Sequence, residues 1–484
     1  MRPQGWLLLP TAILAIALGI GTAYFSTTDI VVLGIAVVLI IVGVLLSRPL
    51  SRVVSLDDQY PDRIEDDGRY RRPRQLLYAG LLTMCWLQLR VHGVTVSDAL
   101  FLGALIWAFV EWAGMRARDT VTLPPGAWPG IWLFTVGAGA STVVYSTDKL
   151  SSFGVIARVF YLIAAWFWLG GISLRTPDHL WTAIKYWVAS AAVCGIWALG
   201  QKYGHLPGGI ESGRVAGLSD GPNDLGALCA CALVPGLVLA YRDRRWILAV
   251  FGVAIGLILS GSIGAGFAAL VAIAFCLTSR DLVRLATISI AISVIVLLLI
   301  SPLIGHSAIT RFSAATTVGS AYNQDTLFIR IDTYKAAWQR IESEPFLGTG
   351  LDMESSSIYN DQTRVSYQVH NLFLGRWYDS GILGLIGIFL LVGSIGLAGW
   401  RLILKSPDRL LAITIFAAFI AYIGADMSEP SLYKRYSLVP ALIIVALRAV
   451  AIRSTQTERL PREAADGAKA RLNVAQDVPF ATSP

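Results

Sequence analysis

The sequence predicts an all-α protein. It should be a polytopic transmembrane helical bundle of about 12–14 spans, with a large external loop containing an amphipathic helix. Three observations predict it. Of 484 residues, 55% are hydrophobic and only 15% are charged, where a soluble protein carries roughly 25% charge. The apolar residues gather into runs near the length of about 20 helical residues that crosses a bilayer. Lys and Arg cluster in alternate connections between those runs. This composition excludes a disordered chain and argues against a soluble globular one. The formal charge is +7, but its basic residues are thinly spread between apolar runs. The partner they indicate is a lipid bilayer, with no nucleic acid.

In chain order, residues 1–46 supply N-terminal transmembrane helices at 6–25 and 30–46. The first is expected to be a retained helix: its n-region has a single Arg (Arg2) and no small-residue cleavage pattern follows. Residues 47–75, with Arg48, Arg52, Arg63, Arg69, Arg71, Arg72 and Arg74, form a charged cytoplasmic loop. Region 76–304 holds spans at 76–90, 98–115, 128–147, 155–174, 181–200, 225–241, 246–260, 263–278 and 285–304. The runs at 76–90, 246–260 and 263–278 are short, so the count stays a range. Residues 305–377 are a large periplasmic or extracellular loop, and 378–450 carry C-terminal spans at 378–400, 410–425 and 437–450. The polar tail 451–484 is expected to be disordered and cytoplasmic. The parity of Lys/Arg loops puts both termini in the cytoplasm, in the cytoplasmic (inner) membrane.

The five cysteines, Cys85, Cys194, Cys229, Cys231 and Cys276, all lie in apolar segments without C-x-x-C spacing. Buried inert thiols are expected, and neither disulfides nor a zinc site. Arg158 and Lys185 are close enough to span ends to snorkel. Glu111 is the more interesting intramembrane charge and pairs with one of them or tunes the site.

Chemistry concentrates in the external segments 202–224 and 305–377. The first contains Arg214, then Asp220-Gly-Pro222-Asn223-Asp224, a turn and helix-start signal. In the second, Ile331, Tyr334, Trp338 and Ile341 recur at helical spacing after Arg330, and the helix ends at Glu344-Pro345, before Gly348-Thr349-Gly350. It lies on the outer membrane face or against the bundle. His370-Asn371 then precedes the next apolar run, which includes Arg376, Gly381 and Gly384. Asp352 and Glu354 form a D-x-E pair that is expected to be solvated, with no metal. His92, His179, His205 and His306 lack partners at recognisable spacing and are read as structural or exposed.

The order R-x-x-G, P-N at a helix start, R…W…P-x-x-G-x-G, then H-N-x-x-L…G-x-x-G resembles the O-antigen ligase-like family over roughly residues 130–425. That family includes O-antigen ligases and O-antigen or exopolysaccharide polymerases. The resemblance implies a membrane glycosyltransferase acting on an undecaprenyl-diphosphate-linked (polyprenyl-diphosphate-linked) glycan donor and a glycan or lipid acceptor. It implies metal-independent transfer, without a cofactor, on the outer side of the membrane. The matching positions imply Arg214, Arg330 and His370 as catalytic residues, with Asn223, Asn371 and Arg376 binding substrate. The chemistry suits these residue types. Arginine pairs bidentately with phosphate and stays charged, and a histidine of pKa near 6.5 is suited to general-base work. One departure stands out: where members carry a Ser-Arg-Gly-like element, this chain reads Ser260-Gly-Ser262-Ile263-Gly264. Lys202, Arg311 or Arg376 are candidates to supply the missing cation.

Each residue also has a plainer reading: His370 as a helix cap or water-facing side chain, Arg214 as a headgroup anchor, Arg330 as a solvated charge, Asn223 as a turn residue. Two other functions remain open, a solute transporter and a noncatalytic component of an envelope polysaccharide assembly complex. A transporter calls for broken helices and polar groups at the midplane, whereas the apolar runs here read as mostly unbroken.

Overall fold

The computed structural model describes residues 68–88, 90–91, 94–114, 120–208, 210–211, 214–277, 327–352, 356–360, 365–406, 408–428, 434 and 438–454. The expected helices 6–25 and 30–46, most of loop 47–75, the span 285–304, His92, His306, Arg311, Glu354 and nearly all of the tail lie outside the described residues. The described residues form a bundle of α-helices with three two-stranded hairpins.

The first helix, α1 (Arg71–Thr83), starts within the segment expected to be a charged loop. Its start is fixed by Tyr70, which adopts a left-handed backbone (φ 55°) and donates its N–H to Glu111 Oε2 at 2.8 Å. Glu111 also accepts from Trp107 Nε1 at 2.9 Å. The intramembrane acid is therefore engaged by a helix start and an indole. Helix α1 has 13 residues and leads into the hairpin β1 (Arg90–Val91) and β2 (Val94–Thr95). Helix α2 (Val96–Ala113) opens with a capping box formed by Thr95 and Asp98. Helix α3 (Ala127–Tyr145) is followed by α4 (Lys149–Ser173), which contains a π-helical turn at Tyr161–Ala165. Helix α5 (Pro177–Tyr203) begins with Thr176 as cap and proline at its first turn.

The hairpin β3 (Ile210–Glu211) and β4 (Arg214–Val215) precedes α6 (Pro222–Arg242). Two shorter apolar helices, α7 (Ile247–Ser260) and α8 (Ile263–Leu277), are joined by a tight turn in which Gly261 takes φ 58°. Helix α9 (Leu327–Ser343) and the hairpin β5 (Ser357–Asn360) and β6 (Val365–Gln368) come next. Helix α10 (Leu372–Lys405), α11 (Arg409–Asp426) and α12 (residues 439–454) complete the bundle. Among the described residues, α2 to α6, α10 and α11 are long and apolar enough to cross a membrane. Helices α7, α8 and α12 are shorter apolar elements, so fewer full-length spans are seen here than the runs alone predict. Helix α6 is the axis, with 89% of its apolar window buried, while α2 is peripheral at 22%.

Close approach is achieved with small residues. A Cβ on Gly130 of α3 would lie 2.7 Å from the Gly387 carbonyl of α10, so the two backbones touch as small-residue membrane interfaces do. The two ends of the bundle differ. One carries the three hairpins and α9; there Arg90–Asp220 at 3.3 Å and Gln88 Nε2 to the Ser219 carbonyl at 3.0 Å join the β1–β2 hairpin to the segment before α6. The other gathers Arg74 against His179 Nδ1 (3.3 Å), Arg453 on the Gly171 carbonyl (3.0 Å) and Arg242 over the Trp181 ring (4.2 Å). His179 is thus a structural histidine.

The apolar runs are less continuous than the sequence reading has them. Helix α10 breaks at Gly381 (φ 69°, ψ −171°), a conformation essentially open to glycine alone. From Gly381 to Lys405 the helix rises about 36 Å at about 1.5 Å per residue, more than the hydrocarbon thickness of about 30 Å. The break therefore sits at the hairpin-side interface, away from the midplane.

The amphipathic helix is present, but its buried face is rotated from the expected one. Thr333, Ala337 and Ile341 are buried, whereas Ile331 and Trp338 are 36% and 47% exposed. Ala337 and Ile341 pack with Val369 and Tyr378. Small side chains let α9 approach α10, and Trp338 meets Trp377 edge-on at 5.7 Å from the helix flank.

Candidate active site

Two groups of sequence-identified residues lie at the hairpin end. The first centres on Arg214, at the base of the β3–β4 hairpin. Its Nε donates to the Ser260 carbonyl at 2.7 Å, and its guanidinium donates to Asn223 Oδ1. Asn223 sits in the first turn of α6, directly after Gly221 in extended conformation and Pro222 at the helix start. Ser260 ends α7, and Ser262 begins the turn into α8, with Ala265 N–H donating to Ser262 Oγ at 3.4 Å. One arginine therefore ties the start of α6 to the α7–α8 turn. That turn is the stretch where the sequence lacks an arginine. A Cβ on Gly261 would lie 3.4 Å from Arg214 Cγ, so Arg214 itself covers the turn.

The next residue of α6, Asp224, is buried and forms an ion pair with Lys434. Lys434 was not among the cations considered from the sequence. The pair spans 210 positions, so no local spacing reveals it. The available signal was compositional: Lys434 and Arg435 stand together on the side that the charge alternation leaves poor in basic residues. Of the three candidates for the missing cation, Arg311 lies outside the described residues, and Arg376 pairs with Asp379.

The second group surrounds the start of α10. The Tyr334 hydroxyl donates to the His370 carbonyl. Asn371 is the N-cap: its Oδ1 accepts from Phe373 N–H at 3.1 Å and Leu374 N–H at 3.0 Å. Arg330 precedes Tyr334 by four residues, so it lies on the same side of α9, about 6 Å along the axis. It is half-buried. Tyr334 thus ties α9 to His370, and Arg330 stands one turn earlier on the same helix. Arg376 is buried and pairs with Asp379 at 3.0 Å. A small cavity lies beside that pair, lined by Ser356, Gln368, Val369 and Tyr378 among others.

The loop from Pro345 to Gly350 explains its own motif. Gly348 lies against the Asp379 backbone, where a Cβ would meet the carbonyl carbon at 2.2 Å. Thr349 N–H donates to the Tyr378 carbonyl at 2.9 Å and Gly350 N–H to the Asp379 carbonyl at 3.0 Å. The break at Gly381 interrupts the helical ladder, and the loop supplies donors to the carbonyls just before it. Asp352, expected to be solvated, is instead buried. Its carboxylate accepts from Ser146 Oγ (2.6 Å), Thr147 Oγ1 (3.2 Å) and Ser152 Oγ (3.4 Å). Neutral hydroxyls at the α3–α4 corner thus hold an acid that a loop sequence gives no reason to bury.

The two groups are linked by α10 and α11. Tyr422 of α11 interacts electrostatically with both Arg376 and Asp426. Asp426 ends α11, and Ser428 just beyond it abuts Gly264 at the start of α8. Among the described residues no group of three or more His, Cys, Asp or Glu side chains is arranged to hold a metal ion.

The chain is a multi-pass helical membrane protein in which two cationic groups face the hairpin end. No curated protein matches it. Residues 247–389, from α7 through the first half of α10, match the family model described as O-antigen ligase, and over that segment the chain is similar to O-antigen ligases.

Proposed function

We propose that the chain is a glycosyltransferase of the ligase or polymerase type. It moves a glycan from a polyprenyl-diphosphate carrier to an acceptor hydroxyl on the outer side of the cytoplasmic membrane. The observation that carries this reading is Arg214 bridging Asn223 and Ser260 at the meeting point of two helix starts. A guanidinium fixed there, with helical N–H groups around it, suits an anionic diphosphate. Arg330 adds a second cation, one turn before Tyr334 on α9.

In this reading His370 accepts the proton of the acceptor hydroxyl. The acceptor oxygen bonds to the anomeric carbon while the bond from that carbon to the carrier diphosphate breaks. The diphosphate leaves with the electron pair, its charge met by Arg214 and Arg330. A single displacement inverts the anomeric configuration. Two arginines and the helix starts supply the electrostatics that this step needs, so the mechanism is written without a metal. Asn371 holds the backbone of His370 in place as cap, and Arg376 supports the same turn through Asp379. The arginine-rich end faces the cytoplasm, with both termini, by the positive-inside rule.

The test is transfer in reconstituted membranes from an undecaprenyl-diphosphate-linked glycan. His370→Ala should lower the rate by about 10²–10⁴-fold, and Arg214→Ala should abolish turnover at ordinary donor concentrations. Wild-type rates in both variants would eliminate the mechanism. Chain length in a deletion strain separates the two types: loss of long chains indicates a polymerase, and long chains left on the carrier indicate a ligase.

A further inference from the structure

We propose that Lys434 is a second binding residue for the carrier diphosphate, held in position by Asp224; this rests on the reading of the Arg214 site given above. The argument begins with placement. Arg214 grips Asn223, and Lys434 grips Asp224, the very next residue of α6. Two cations from distant parts of the chain are thus anchored to consecutive residues of one helix start. A diphosphate offers two anionic groups for two such cations. The two side chains are also complementary in kind: a planar fork suits one phosphate, and a compact ammonium suits the other.

Burial orders the pair. The Asp224 side chain is 5% exposed and that of Lys434 is 22% exposed. The carboxylate is the inner member and the ammonium the outer one. An acid in the first turn of a helix is already favoured by the helix N-terminus. An ammonium has three donors on one nitrogen, so it can serve Asp224 and a phosphate oxygen together. Asp224 is in this account a positioning residue, and Lys434 a binding one.

The test uses the full-length chain in detergent, with farnesyl diphosphate as probe, farnesyl monophosphate for comparison and farnesol as the uncharged control. Lys434→Gln should weaken farnesyl diphosphate binding about ten-fold, with Lys434→Arg staying within about three-fold of wild type. Monophosphate binding should fall less, and farnesol binding should not change. Because Lys434→Gln leaves a buried acid alone, the double variant Asp224→Asn/Lys434→Gln is measured beside it, and it should fold and bind as weakly. If either the single or the double variant holds farnesyl diphosphate as tightly as wild type while Arg214→Ala does not, Lys434 only neutralises Asp224. The proposal then falls while the carrier reading stands. Wild-type protein that binds farnesyl diphosphate no better than farnesol overturns both.

Discussion

His370 is held through its backbone carbonyl, and Arg214 through its guanidinium. The Tyr334 hydroxyl donates to the His370 carbonyl. Tyr334→Phe removes that tether without removing the ring, so we expect transfer to slow by about ten-fold, on the scale of one hydrogen bond. KM for the donor should stay near wild type, which a rate series against donor concentration reads directly. A rise in donor KM at unchanged kcat would show that Tyr334 serves the donor site. Arg214 makes its hydrogen bonds to Ser260 and Asn223 from two different nitrogens of a planar fork, a geometry that Arg214→Lys does not reproduce. Lysine should therefore rescue Arg214→Ala only weakly in diphosphate binding. Arg214, Asn223 and His370 stand out as candidates because their motifs are local in sequence, and the Arg214–Asn223 contact joins two of them. Lys434 does not, since its meaning depends on a residue 210 positions away. Asp352 was misjudged for the same reason: the hydroxyls that bury it belong to the α3–α4 corner, 200–206 positions earlier.

The helices themselves were largely legible, since apolar runs of span length have few alternatives in a bilayer. Their interruptions were not. Gly381 lies in a long apolar run that reads as continuous helix, yet it takes a conformation reserved for glycine, and a Cβ there would meet the Phe346 carbonyl oxygen at 2.2 Å. Gly381→Ala should therefore cost at least the strain of about 1–3 kcal/mol for such a backbone, seen as loss of monodisperse protein on size-exclusion in detergent. An unaffected elution profile and melting curve would contradict the break. Helix α9 offers a second check. Periodicity alone points to the larger residues Ile331 and Trp338 for its buried face, but Thr333 and Ala337 are the buried positions, and Ala337 packs with Tyr378 of α10. Ala337→Phe should overpack that contact at about 1–3 kcal/mol, while Trp338→Ala, at a half-exposed position, should shift the melting temperature much less. The opposite ranking would restore the face expected from periodicity.

Over the whole molecule, charge separates the two ends, and this separation makes orientation testable. All five cysteines are buried, so a single introduced thiol can be read over a quiet background. Tyr359→Cys, on the β5 strand, should react with an impermeant maleimide in intact cells, and Arg245→Cys should react only after permeabilisation. Labelling of Arg245→Cys in intact cells would reverse the topology and place the Arg214 group in the cytoplasm. The bundle architecture was legible from composition. Loop parity already put segments 202–224 and 305–377 on one side, but which side chains meet there was not legible, because it is set by which helices neighbour which. One consequence concerns the lipid. A helix answers a change in bilayer thickness by tilting, and α10 is long enough to do so. Its break at Gly381 uncouples the membrane-crossing part from the short stub that follows His370, and the Pro345–Gly350 loop clasps that stub at Tyr378 and Asp379. The break thus acts as a mechanical joint: the crossing segment can adapt to thick or thin membranes while His370 stays registered to its loop.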